Sequence, residues 1–278
     1  MFEIIEKLSE ENQSLEIWCS VDNGLRLLSE RMRKGWQRMN DLFDIHCHIL
    51  PCVDDGAKSM EMALQLLRME WQDGVRTVIL TPHYRLGMFE TSMERIWDAY
   101  DELLYRARGI GMDLHLGCEF HANMDMADTL EARERPTMAG SNYVLCEFSE
   151  SSDLAFIQER GYHLISRGFI PIFAHIERYT KLTEDFDLIA ELVDMGCRMQ
   201  VNAGSILGKD GAATKKFCRK LIKEDLLHFI GSDAHDVKTR IPLIGSCSEY
   251  LKKKAGRVYT GKILRDNPSM ILTEKYRR

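Results

Sequence analysis

The sequence has no excess of positive charge. Lys and Arg number 37 against 43 Asp and Glu, a formal net charge of −6. That excludes a general nucleic-acid binder, which relies on a basic surface, and leaves room only for a local basic pocket. No run of apolar residues is long enough to span a bilayer. The opening residues Met1-Phe2-Glu3-Ile4-Ile5-Glu6-Lys7 carry acids where a secretory signal has a basic region and then an apolar one. The 8 cysteines are scattered, several inside apolar runs, and no C-x-x-C occurs. They read as reduced thiols rather than a disulfide framework, and the expected location is the cytoplasm.

What is there suits an ordinary soluble domain. Hydrophobic residues make up 45% and charged residues 29% of 278, enough chain for one large α/β domain or two small ones. Residues 1–40 read apart from the rest. Phe2, Ile5 and Leu8 fall at helical spacing, Val21-Asp22-Asn23-Gly24 marks a turn, and Leu25–Met39 is helical and rich in Arg and Lys.

From Asp41 a rhythm of strands and helices sets in. The apolar runs begin near Asp41, Val75, Asp113, Tyr143, Phe169, Cys197 and Leu226. Helical stretches separate them, the first two starting at the capping residues Ser59 and Ser92. Such alternation predicts parallel β/α units. Seven strands of this kind close into a barrel or open into a wound sheet. In a barrel, functional side chains sit at the carboxyl ends of the strands. All but one of these seven runs stop at a His, Asp or Glu.

The first run, Phe43-Asp44-Ile45-His46-Cys47-His48, is the most informative. Strand alternation puts Asp44, His46 and His48 on one face and Phe43, Ile45 and Cys47 on the other. The later runs add His83, Glu119, Glu147, His175, Asp233 and His235, and the turn Val53-Asp54-Asp55-Gly56 adds a carboxylate from Asp54 or Asp55. The set is imidazole and carboxylate, without a thiolate, which suits Mn²⁺, Fe²⁺ or Zn²⁺ better than Mg²⁺. A single ion needs three or four ligands, so the set predicts two or three ions with bridging carboxylates. Clusters of this kind serve hydrolysis, activating water and clamping the attacking and leaving oxygens. His115, His163 and His228 fall inside strands or a helix and read as structural; His121 and Glu177 stand close to the set without a defined role; Lys252-Lys253-Lys254 reads as a solvated helix face.

His46-Cys47-His48-Ile49-Leu50-Pro51 with Val53-Asp54-Asp55-Gly56, then Thr81-Pro82-His83, Cys118-Glu119-Phe120, Ala174-His175-Ile176-Glu177-Arg178-Tyr179 and Ser232-Asp233-Ala234-His235 together resemble the polymerase-and-histidinol-phosphatase superfamily. Arg85–Thr91 and Asp194-Met195-Gly196-Cys197 narrow the resemblance to the bacterial manganese-dependent protein-tyrosine phosphatases of capsule and exopolysaccharide synthesis. It covers about residues 41–275. It implies a distorted (β/α)₇ TIM-like barrel, preceded here by a short helical extension. It implies that His46, His48, Glu119 and Asp233 hold one ion. Glu119 would bridge to a second, completed by Glu147 and His175, and Asp55, His83 and His235 would hold a third. Asp55 is preferred to Asp54 because it directly precedes Gly56. Arg178 and Arg240 match positions that hold the substrate phosphate, with Arg85 a weaker candidate on the same rim. The implied partner is the tyrosine-rich tail of a bacterial tyrosine kinase that controls polysaccharide export.

A cysteine-based phosphatase is the natural rival, but none of the cysteines is followed by Arg at the spacing of its phosphate loop. Cys52 meets Lys58 there, with Asp54 and Asp55 between. A small-molecule phosphatase such as histidinol-phosphatase, and a non-catalytic metal-binding regulatory protein, remain alternatives; an oligomer is compatible with all of them. The expected division is residues 1–40 as an extension and 41–278 as a metal-dependent phosphatase domain. Met39 reads as a second initiator, so the first 38 residues are expected to be either a helical arm or an untranslated leader.

Overall fold

The computed structural model describes residues 41–273. The expectations for residues 1–40 lie outside the described residues. The remainder alternates strands and helices, and every strand pairing is parallel. One sheet has the order β1-β2-β4 and the other β3-β5-β6-β7-β8-β9. The strands are β1 (Leu42–Cys47), β2 (Val75–Leu80), β3 (His83–Tyr84), β4 (Asp113–Leu116), β5 (Glu119–His121), β6 (Tyr143–Glu147), β7 (Ile170–Phe173), β8 (Arg198–Asn202) and β9 (Phe229–Gly231).

Two of the seven expected strands are each broken in two. Pro82 has no N–H to give to a ladder, and β2 stops before it, with β3 beginning at His83. The third run pauses at Gly117-Cys118, so Glu119 opens β5 instead of closing β4. Hydrogen bonds cross both breaks, from Gly117 N–H to Leu80 O at 2.8 Å and from Glu119 N–H to Pro82 O at 3.1 Å. At the far side, Cys47 bridges Ala234 in parallel, and the Asp233 N–H donates to His46 O at 2.8 Å.

The helices begin where their caps are. In α1 (Met60–Gln72) the Ser59 hydroxyl accepts from Met62 N–H, and Ala63, Leu66 and Leu67 turn inward. Each buried leucine there stabilises the fold by about 1.5–3 kcal/mol. In α2 (Met93–Ala107) Ser92 caps in the same way. Helices α3 (Met126–Glu131) and α7 (Ala203–Leu207) were not expected, whereas the π turn at Lys262–Asp266 falls where a short helix near Gly261–Arg265 was. Between α3 and α7 stand α4 (Leu154–Ser166), α5 (Thr180–Glu184) and α6 (Phe186–Met195); α8 (Ala212–Lys223) and α9 (Ile244–Lys254) follow. A large core lies under these helices, and a smaller one, with Phe43, Ile45, Ile79, Leu145 and Phe229, is separate from it. Among the described residues no helix is long and apolar enough to cross a membrane.

The alternation expected for β1 needs correction. Asp44 pairs with Val78 but Cys47 with Leu80, so three steps on β1 match two on β2. This extra residue is a β-bulge, which re-aims the side chains beyond it. Phe43 and Ile45 join the small core while Cys47 joins the large one. Asp44, expected to share a face with His46 and His48, instead lies beside Glu70 of α1 and accepts from Ser232 N–H and Oγ–H.

Glu70 is fully buried, and burial, followed by the neighbouring Asp44 charge, pushes its carboxyl well above its ordinary 4.5. Folding therefore favours the protonated form. That stability is complete below pH 4.5 and is lost as pH rises through the raised value. Glu70→Gln removes the acid while keeping its shape. The urea midpoint of the variant should gain on the wild type steadily as pH rises from 5 to 9; a difference independent of pH would contradict this.

Candidate metal centre

Beyond the bulge, His46 and His48, at the end of β1, share one side. Their Nε2 atoms lie 3.3 Å apart, a separation at which two lone pairs repel unless a proton or cation lies between them. Both also face Glu119: His46 Nε2 is 3.2 Å from Oε1, and His48 Nε2 is 3.2 Å from Oε2. Two further imidazoles reach the same carboxylate, His83 Nδ1 to Oε2 and His175 Nε2 to Oε1, each at 2.9 Å. Glu119 and both β1 histidines are fully buried.

Around this centre lie the other candidates. Glu147 is 3.6 Å from His175 Nε2 and 3.9 Å from His83 Nδ1. Asp233 Oδ1 is 3.6 Å from His46 and 3.5 Å from His48. Asp55 Oδ1 lies 3.5 Å from His83 and 3.4 Å from His235. All nine side chains are thus brought together. Three groups among them have ligand atoms close enough to share an ion: His48, Asp55, His83 and His235; His46, His48 and Glu119; and His83, Glu119 and Glu147. The donors fit a divalent metal: the buried Glu119 Oε2 and His235 Nε2 face other candidate ligands, His48, His83 and Asp55, at 2.9 to 3.4 Å.

The adjacent aspartates separate cleanly. Asp54 Oδ2 accepts from His48 Nδ1 at 2.8 Å and from His83 N–H at 3.0 Å, so it fixes the His48 ring with Nε2 turned inward. Asp55 alone faces the other imidazoles. The turn can wrap so tightly because Gly56 has no side chain: a Cβ there would lie 2.0 Å from His48 O. Backbone strain is concentrated nearby, since His175 (φ 33°) and Asp233 (φ 53°) both adopt left-handed conformations. Each costs on the order of 1–3 kcal/mol.

Charge is distributed unevenly. For Asp233, burial opposes ionisation, but His46, Arg178 and Arg240 override it and hold the carboxyl well below its usual range. Arg178 Nη2 and Arg240 Nη2 both donate to Asp233 Oδ2, at 2.6 and 2.7 Å, while remaining partly open to solvent. Burial, then the Glu119 charge, raises Glu147 to about 7. Burial lowers His175 to about 4, which favours the neutral, ligating form. Arg85 sits on the rim hairpin, its backbone paired with Phe89, and Phe89 stacks on His83 at 4.9 Å.

The residues set aside divide likewise. His115 pairs with Asp113, and His228 Nδ1 accepts from Met199 N–H. His121 meets Ser149 at 3.1 Å. Glu177 is no surface charge: it is buried, accepts from Asn202 N–H and Ser205 Oγ–H, and is raised by burial to about 7. Gln200 and Asn202 of β8, which were not among the expected candidates, also reach the centre.

The family model described as capsular polysaccharide synthesis, CpsB/CapC, matches residues 42–273. The chain belongs to the CpsB/CapC family. Tyrosine-protein phosphatase CpsB of Streptococcus pneumoniae is 34% identical over 241 residues, covering 84% of this chain and 99% of that protein. Tyrosine-protein phosphatase YwqE of Bacillus subtilis is 34% identical over 201 residues, covering 72% and 79%. Among solved structures, those of YwqE and CpsB, described as unique metal-dependent tyrosine phosphatases, match with a TM-score of 0.79 and 31% identity over 84% of this chain and 96% of theirs. A phosphotriesterase homology protein from Escherichia coli matches at TM-score 0.56 and 13% identity, a likeness of fold alone.

If Asp54 acts by holding His48, Asp54→Ala should weaken Mn²⁺ binding roughly 10- to 100-fold in a chelator competition. Unchanged affinity would show that the His48 ring needs no such support.

Proposed function

We propose that this chain is a metal-dependent protein-tyrosine phosphatase of capsular polysaccharide synthesis, with residues 41–278 as its catalytic domain. The observation that carries the reading is the convergence of imidazoles and carboxylates on buried Glu119, with two arginines at the rim. The ligand assignment is the one the family resemblance implies; the groups of the centre overlap it, with His48 also beside Asp55, His83 and His235, and His83 beside Glu119 and Glu147. His46, His48, Glu119 and Asp233 would hold one ion, Glu119, Glu147 and His175 a second, and Asp55, His83 and His235 a third. Mn²⁺ is the preferred metal, with Fe²⁺ or Zn²⁺ as substitutes. The hydrogen bonds across the strand breaks and the Cys47–Ala234 bridge support reading the two sheets as one distorted (β/α)₇ barrel, whose carboxyl ends carry the site.

Bound ions would supply an activated water and neutralise charge on the phosphoryl oxygens. The chain's own side chains do the rest. Arg178 and Arg240 present planar, multi-donor groups to the phosphate, and Asp233 holds both in place until it arrives. A phenolate leaving group, with a pKa of about 10, needs less protonation than an alkoxide. Thiol chemistry is disfavoured at the buried cysteines: burial pushes the Cys47 and Cys146 thiols well up and Cys197 to about 12. The proposed substrate is the phosphorylated tail of a bacterial tyrosine kinase, met in the cytoplasm.

Chelation should abolish hydrolysis of a phosphotyrosine peptide, and Mn²⁺ should restore it. His46→Ala and Asp233→Ala should each lower kcat by about 100-fold or more, whereas Cys→Ser changes should not. Full activity without metal, or a preference for histidinol phosphate over the peptide, would overturn the reading.

A further inference from the structure

Strand β8 contributes none of the nine candidate ligands, yet its Gln200 side chain is fully buried against them. Its Oε1 lies 2.7 Å from the His175 backbone N and 3.2 Å from His46 Nδ1. A peptide N–H can only donate, so the amide oxygen, not the nitrogen, must face His175. The same oxygen then requires a proton on His46 Nδ1, which leaves the Nε2 lone pair directed at Glu119 and Asp233. The other end of the amide is fixed by the same logic. Gln200 Nε2–H donates to Asn202 Oδ1 at 3.0 Å, so Asn202 must turn Nδ2–H to Asp233 Oδ2, at 2.9 Å. One backbone donor thus sets the direction of every hydrogen bond in the chain.

We infer that Gln200 is a positioning residue that couples two ion sites through one shared acceptor oxygen. It fixes the tautomer of His46, assigned to one ion. It also captures the N–H of His175, assigned to the next, whose left-handed backbone needs such a restraint. Through Asn202 it leaves Asp233 Oδ1 for the histidines while Oδ2 serves the arginines. Space for this arrangement exists because Gly231 lacks a side chain; a Cβ there would lie 2.5 Å from His46 Cβ and 3.1 Å from Gln200 Nε2. The inference rests on the metal-centre reading.

The test is Mn²⁺ affinity by chelator competition on the full chain and three variants. Gln200→Met keeps the shape and removes the acceptor, and should bind Mn²⁺ roughly 10- to 100-fold more weakly. Gln200→Asn keeps a polar amide but is one methylene too short to meet both donors, and should lose affinity likewise, which covers a Met variant that fails to fold. Gln200→Glu keeps the shared acceptor but loses the N–H given to Asn202 Oδ1, so it should lose less affinity than the Met and Asn variants. Wild-type affinity in the Met or Asn variant, or an equal loss in the Glu variant, would overturn the inference while leaving the metal centre standing. A wild-type chain that takes up no Mn²⁺ would instead overturn both.

Discussion

Glu119 is the constraint around which this structure is arranged. A carboxylate with no exposed surface costs several kcal/mol unless its charge is answered. Here four imidazoles crowd around it, from His46, His48, His83 and His175. They come from β1 and the residue just after it, from β3, and from just beyond β7, elements far apart in the chain. The carboxylate's ionisation follows from them: burial opposes it, yet His46, His83 and His175 bring its pKa well below the usual value. Four imidazoles on one anion, two with their Nε2 atoms face to face, form a site whose electrostatics are completed by cations.

The local backbone has been shaped to that end. The bulge after Asp44 separates it from the side that His46 and His48 share, and the parallel bridge at Cys47 brings Asp233 and His235 beside them. Gly56 and Gly231 permit close approach to the two β1 histidines. His175 and Asp233 accept unfavourable φ values. Strain, bulge and glycine fall together where the donors meet, as expected where geometry is specified by function rather than by stability.

Much of this was legible in the sequence, for a definable reason. Parallel β/α units place strand ends together, so a His, Asp or Glu after each apolar run could be collected without knowing the fold in detail. Asp55 was preferred to Asp54 because it directly precedes Gly56; in the structure Asp54 is occupied by His48 Nδ1 and His83 N–H, and Asp55 faces His83 and His235. The bulge was not legible: Phe43–His48 alternates as a regular strand would, and only the pairing with β2 shows the extra residue. For the same reason the runs that break at Pro82 and Gly117 were each read as a single strand. Gln200 and Asn202 escaped notice because buried amides carry no signature of charge or metal affinity. Their importance lies in hydrogen-bond direction, which only coordinates define. Glu177 was ambiguous as a sequence feature, and burial settles that it is internal.

The central claim is that these side chains form a multinuclear centre. Anomalous diffraction at the manganese edge, from crystals grown with Mn²⁺, tests it most directly. The account predicts two or three strong peaks within the cluster, one between His46, His48 and Glu119 and another near Asp55, His83 and His235. A map with no peak there, or with manganese bound only elsewhere on the molecule, would contradict it.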